Sequence, residues 1–332
     1  MAKRKSSKRM KRGRQRASPS EQIQAGQVHS HVPSATTFFR LHVLDRESRN
    51  QIDKAMALVK PLLWMRDGGS VRRIRQARTA EELIDLIPQS GGLGARAWYE
   101  RMAEFGPEVL PIMSRRLRMT TRIEDEDLQS LTYDRLIEAL RWRGDDGARV
   151  LERQFDALSD YGRGLASVAL GLLGKGDAAD RIWNFYRRAV RDRHETFFVG
   201  ALWGLIDLED RRVGGALAHL LERGQYFYEL FGFLSLAGDA RVILPLLADA
   251  VQRPKEENMD AKMALVSVVH RIGKEPLLAE LKKLSARDAE ESGEEFAGML
   301  LSTPMSQVRE YFSMFYRGLT AEDAAQVFPG GA

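Results

Sequence analysis

Few residues of this chain carry chemistry by type and spacing, and those few do not converge. The stretch Gly171–Asp177, GLLGKGD, puts Lys after Gly as a phosphate-cradling loop does. That loop also needs a glycine five residues before its second glycine, where Ala169 sits, and Ser or Thr after the lysine, where Gly176 sits. Ser90–Gly94, SGGLG, lacks the strand–loop–helix setting of a dinucleotide fingerprint. The six histidines are His29, His31, His42, His194, His219 and His270. The first two fall in a segment too polar to fold, and the last three are 25 and 51 residues apart. With no cysteine in the chain, a zinc site would need these histidines together with carboxylates. The pairs Asp145-Asp146 and Glu209-Asp210 have the residue types of an acid and a base, but both sit at helix corners, where capping is their expected work. The expectation is therefore no catalytic, cofactor-binding or metal-binding residues.

Cations are the other candidates. Residues 1–16 hold nine of them, Lys3, Arg4, Lys5, Lys8, Arg9, Lys11, Arg12, Arg14 and Arg16, with no acid between. Taking those nine from the 51 Lys and Arg leaves 42 against 46 Asp and Glu, so the rest of the chain is mildly acidic. This argues against a dedicated nucleic-acid groove in the body and makes the tail the candidate contact for RNA, DNA, a ribosome or another anionic surface. No aromatic residue is interleaved, so base stacking is not indicated. Within the body, Arg187, Arg188 and Arg191 form a local basic patch, read as a candidate contact on a concave face. Val71–Arg78 carries four more arginines, read as solvated surface between two helices.

The elements that must position these groups repeat. A charged-then-branched doublet recurs as Glu108-Val109, Arg149-Val150, Arg181-Ile182, Arg212-Val213, Arg241-Val242 and, degenerate, Pro276-Leu277, at spacings of 41, 32, 31, 29 and 35. A polar corner precedes each doublet, among them Gly144-Asp145-Asp146, Gly174-Lys175-Gly176-Asp177, Glu209-Asp210 and Gly238-Asp239. Around the corners, apolar residues return every three or four positions, as in Phe227, Leu230, Phe231, Leu234 and then Val242, Leu246, Leu247, Ala250. Each unit is then a pair of amphipathic helices whose apolar faces only a similar neighbour can cover. Four of the doublets begin with Arg149, Arg181, Arg212 and Arg241, expected to pair with corner acids of their own or the adjoining unit. Leu110-Pro111 and Leu244-Pro245 predict that the regular helix starts close to each proline.

Segments such as ALGLLGKGDAADRI and SLAGDARVILPLL resemble the HEAT repeat, in particular the HEAT-like form of the phycobilisome lyase type, over about residues 94 to 285. The resemblance implies an all-α fold, a right-handed α-solenoid of about six stacked hairpins with helical caps at both ends. The expected divisions are a disordered basic tail over 1–35, an N-terminal helical cap over 36–89, the repeats over 90–285 and a C-terminal cap over 286–332. In the first cap, a helix over Asp45–Arg66 is expected to kink at Pro61, and Thr79-Ala80-Glu81-Glu82 reads as a capping box. In the last, Ser292-Gly293-Glu294-Glu295 and Thr320-Ala321-Glu322-Asp323 read as helix starts, with Pro304 at the first position of a helix between them.

The longest apolar run, residues 197–206, is ten residues, well short of the roughly 18 that cross a bilayer. The charged start is not followed by the apolar run of a secretory signal, so a cytoplasmic setting is expected. The functional expectation is a non-enzymatic scaffold that holds a protein partner on a concave surface built from the second helix of each hairpin, with the tail as a separate anionic contact. The alternative is an enzyme on the same scaffold, similar to a bilin lyase or to the HEAT-like glycosylases of alkylated DNA.

Overall fold

Thr79 accepts a hydrogen bond from the Glu82 amide at 3.2 Å and so opens a helix, as the Thr-x-x-Glu spacing predicts. The Glu82 carboxylate turns back to the Arg78 amide at 2.7 Å, one residue earlier than the capping amide. Asp125, Ser159 and Asp239 cap in the same way, accepting from the amides of Leu128, Gly162 and Arg241. The computed structural model describes residues 61–312 and Phe315, apart from 63, 194, 228, 253–257 and 285–288. The tail, the residues before the expected kink at Pro61, and the helix start at Thr320 fall outside the described residues.

All regular structure among the described residues is helical. In chain order it comprises α1 (64–76), α2 (Ala80–Asp85), α3 (Leu93–Ala103), α4 (Val109–Thr120), α5 (Glu126–Arg141), α6 (Gly144–Gln154), α7 (Asp160–Leu172) and α8 (Ala179–Arg191). There follow α9 (Glu195–Asp207), α10 (Val213–Glu222), α11 (Leu230–Ala237), α12 (Ile243–Gln252), α13 (Met259–Ile272), α14 (Glu275–Leu284), α15 (Ala289–Ser302) and α16 (Met305–Tyr311). None of these helices is long and apolar enough to cross a membrane.

The corners close as the sequence suggests, with two differences. Gly144, Gly174 and Gly273 take left-handed conformations at φ of 55°, 64° and 85°. At the Glu209-Asp210 corner a residue with a side chain, Glu209, is held at φ 54°, which costs about 1 kcal/mol or more. The stretch 144–146 is already the first turn of α6, so Arg149-Val150 lies in its second turn. Asp145 and Asp146 are favourable there because the amino end of a helix carries partial positive charge. Pro111 and Pro245 are each the third residue of their helices, where the backbone amide has no intrahelical acceptor to lose. A 3₁₀ turn over Ala240–Val242 is the lead-in to α12.

The odd-numbered helices from α3 to α15 pack each against the next in that series. Alongside them α2 packs on α4, α4 on α6, α10 on α12 and α12 on α14. The closest approach is between α7 and α9, and glycine permits it. A Cβ on Gly204 would lie 2.2 Å from the Ser167 carbonyl oxygen, one on Gly171 2.7 Å from the Gly204 backbone, and one on Gly200 2.9 Å from the Gly164 carbonyl oxygen. The two backbones therefore touch where side chains would otherwise hold them apart. Residues 198–205 of α9 are buried one after another, without the exposed face of an amphipathic helix. Among the aromatics, Trp203, Phe185, Tyr186, Phe227 and Phe231 are buried, and Trp142 and Trp183 are partly buried against the core.

Three local expectations are corrected. Residues 71–76 are the end of α1 rather than a link between helices, because Val71, Ile74 and Ala77 recur at helical spacing and are buried, leaving Arg72, Arg73, Arg75 and Arg78 exposed. Ser292-Gly293 lies inside α15, which begins at Ala289. Pro304 precedes α16 as its N-cap in extended conformation, and Met305 is the first helical residue. Leu300, Val308, Phe312 and Phe315 are buried as expected of a closing layer, while Met299 and Tyr311 are exposed.

Candidate interaction surfaces

The basic patch of the body lies on α8. This helix buries Ile182, Phe185, Tyr186 and Ala189 on one face, which leaves Arg187, Arg188 and Arg191 on the exposed one. Arg188 is not an open anion contact, since its Nη2 lies 3.3 Å from Asp160 Oδ1 and its guanidinium 5.7 Å over the Phe185 ring. Arg191 Nε pairs with Asp192 Oδ1 at 3.2 Å. A groove of about 440 Å³ opens beside the patch and is lined by Asp156, Asp177 and Asp180 as well as Arg163, Arg181 and Arg188. Three acids against three bases leave it without a net preference for an anion.

The arginines of the doublets form a ladder. Arg149 pairs with Asp146 of its own first turn. Arg181 donates from Nη1 to the Glu152 carbonyl at 2.5 Å and lies 3.6 Å from Asp156 Oδ2. Arg212 binds Asp210 Oδ2 at 2.6 Å and reaches Asp180 Oδ1 at 2.7 Å, with its guanidinium 5.1 Å over the Trp183 ring. Arg241 holds Asp239 at 2.5 Å and donates to the Arg211 carbonyl at 2.7 Å. The reach of these last three arginines back along the chain is 29, 32 and 30 residues. That reach matches the sequence period, so each clamp ties one unit to the one before. The hydrogen bond from Arg212 holds the Asp210 carboxyl below the usual carboxylate range, and the same bond raises the Arg212 guanidinium.

A second set of arginines escaped the sequence reading. Arg143 donates to the carbonyls of Met102 and Phe105, each at 2.7 Å, and Arg271 to the carbonyl of Gly238 at 2.6 Å and that of Ser235 at 3.1 Å. Arg101 donates twice to the Ala77 carbonyl, just past α1. Each satisfies orphan carbonyls at the carboxy end of a helix in the preceding unit, where a cation is favoured. The available signal was a basic residue near the end of α3, α5 and α13, which looks like ordinary helix-end charge until the neighbouring unit is in place.

The densest polar cluster surrounds α5 and is buried. Arg135 donates to Ser90 through its carbonyl at 2.8 Å and its hydroxyl at 3.0 Å, and to the Tyr99 hydroxyl at 3.2 Å. Glu138 accepts from Arg141 at 2.5 and 2.8 Å and from the Trp142 indole at 2.9 Å. Tyr161 donates to Asp134 at 2.8 Å. Burial pushes the Asp134 carboxyl up to about 6 against this hydrogen bond, and burial also raises the Tyr99 and Tyr161 hydroxyls. Carboxylates and guanidinium groups are engaged with each other and with neighbouring dipoles, which suits a fixed structural network.

The remaining candidates stay apart. His219 is exposed near Arg223, and His270 Nε2 meets the Thr303 carbonyl at 2.8 Å. Among the described residues no three of His, Asp and Glu gather as metal ligands. Gly174-Lys175-Gly176 is a helix corner in which Lys175 Nζ pairs with Asp145 at 2.5 Å. No family model matches the sequence, and comparison with curated proteins and with solved structures returns no match.

Proposed function

We propose that this chain is a right-handed α-solenoid of HEAT-like hairpins and that it acts as a non-enzymatic scaffold for a protein partner. The observation carrying this reading is the arginine ladder, whose contacts span 29, 32 and 30 residues: Arg212 and Arg241 join the starts of successive units, and Arg181 joins the start of α8 to the end of α6. In such a stack the layer with the shorter spacing lies inside the curve. The backbone contact between α7 and α9 supports giving that place to the odd-numbered helices, the first of each hairpin. This reading differs from the expectation of a concave surface built from second helices. It puts Arg187, Arg188 and Arg191 of α8 on the outer layer and makes the faces of α5, α7, α9, α11 and α13 the partner surface.

The nine cations of residues 1–16 are proposed as an independent contact for RNA, DNA, a ribosome or another anionic surface, in a protein of the cytoplasm. The test is RNA binding by the full chain at two salt concentrations, beside a full chain with all nine replaced by Gln. If the tail neutralises phosphates, affinity falls with salt with a log–log slope of about 0.7 per contact, and the Gln variant loses that slope. Equal binding by both chains would remove the tail from the proposal. For the scaffold, a partner recovered with the full chain should cross-link to residues of α5, α7, α9, α11 and α13. Cross-links confined to the outer layer would overturn the assignment of the surface.

A further inference from the structure

Phe315 lies three residues beyond the last residue of a buried helix cap, yet it does not continue the row of helices. The preceding helix, α16, packs on α13, while Phe315 returns to α11 and α9, one and two places back along the same layer. Its ring stacks on Trp203 of α9 at 5.7 Å between centroids and 17° between planes. It meets Phe233 of α11 edge to face at 6.1 Å and 83°. Gly232 forms the floor, where a Cβ would sit 2.5 Å from the Phe315 ring. Trp203 and Phe233 also pack on each other, centroids 4.7 Å apart, so the walls are held whether or not the third ring is present.

Among the described residues the socket takes its walls from α9 and α11, with Phe312 at the end of α16 meeting Phe315 edge to face at 6.3 Å and 79°. Phe315 is buried to the same degree as the core, with 5% of its surface exposed. The described chain ends there, on this layer, with 17 residues still to follow.

We propose that Gly232, Trp203 and Phe233 form a docking socket for a phenylalanine-bearing peptide on the inner helix layer, and that this chain's own C-terminal segment, anchored by Phe315, occupies it. This rests on the scaffold reading and adds its regulation, since a partner segment with a similarly placed aromatic residue enters only when the chain's own segment leaves. It is the third ring and the glycine floor, rather than charge, that define what fits.

The test uses the full chain and a labelled peptide of residues 313–332. On the wild-type chain the peptide competes with its own copy; on F315A the socket is open, and binding should tighten at least tenfold. Adding Gly232→Ala to F315A fills the floor and should abolish that gain. A peptide carrying F315A should bind none of the three. Equal affinity for wild type and F315A would overturn the proposal, making Phe315 ordinary packing. If F315A loses its helical circular dichroism, G232A alone gives the reading, because it expels the ring while the helices remain. Chymotryptic cleavage after Phe315 should then quicken at least tenfold over wild type, and unchanged cleavage would refute the socket. A failure of the stacked-hairpin arrangement would instead appear in distances between labelled helices, which these readings do not involve.

Discussion

Arg212 and Asp180, 32 residues apart, meet at 2.7 Å across the gap between the start of α10 and the start of α8. The same guanidinium grips Asp210 at 2.6 Å within its own corner and lies over Trp183 of the preceding unit. One side chain thus fixes both the turn of a hairpin and the seat of that hairpin on its neighbour.

The two carboxylates should not matter equally. Asp180 is 88% exposed and Asp210 only 9%, so D180A should lower stability by less than about 0.5 kcal/mol. R212A leaves the sheltered Asp210 carboxylate without its guanidinium and strips the face of Trp183, and should cost about 1–3 kcal/mol. R212K, lacking the planar fork, should fall between them. Urea unfolding of the three variants measures the order; a D180A effect as large as that of R212A would contradict the assignment.

The same substitution should have opposite signs at two glycines. In G204A the new methyl would sit 2.2 Å from the Ser167 carbonyl oxygen, which forces α7 and α9 apart and should cost about 1–3 kcal/mol. In G69A nothing lies within 4 Å, and the exposed helical position gains about 0.5–1 kcal/mol from lost backbone freedom in the unfolded chain. Thermal midpoints should therefore move in opposite directions.

Much of this was readable from residue types and spacing. The doublets, the polar corners, the Thr79 cap and the buried run of α9 all follow from local rules acting on local sequence. The close contact between α7 and α9 was not readable in that way. It depends on Gly164, Gly171, Gly200 and Gly204 meeting across two helices, and a glycine in a helical stretch looks alike whether it faces solvent or another backbone. Asp134, Arg135 and Glu138 were missed for a related reason. Three charged residues on one helix read as a solvated face, and only their partners Ser90, Tyr99 and Tyr161, from elements 27 to 45 residues away, make burial acceptable. Arg143 and Arg271 could not be assigned before the carbonyls they cap were in place.

Asp134 gives a pH dependence whose sign can be worked out. Its carboxyl titrates near 6 when folded, against an ordinary value of 3.8, so between those limits the folded chain holds the proton that the unfolded chain has lost. Stability from this group is fully present below about pH 4, falls as pH rises through 6 and is then flat, a loss of about 3 kcal/mol. Carboxylates held low by arginine, Asp67 at about 2 among them, act the other way as pH falls. The difference between wild type and D134N isolates the one group. D134N should be the more stable above pH 7 and the two should converge near pH 4; parallel profiles would show that Asp134 is not burdened by burial.

The stacking of hairpins in sequence order can be measured directly, because a chain without cysteine accepts spin labels only where they are placed. With one label on exposed Arg118 of α4, a second is moved through exposed Arg153 of α6, Arg187 of α8, Glu222 of α10 and Lys283 of α14. Electron–electron distances should lengthen at every step, at first by about 8–10 Å, the usual separation of packed helices. Distances that stay level or shorten from one position to the next would mean the helices surround a common centre, and the scaffold account would be wrong.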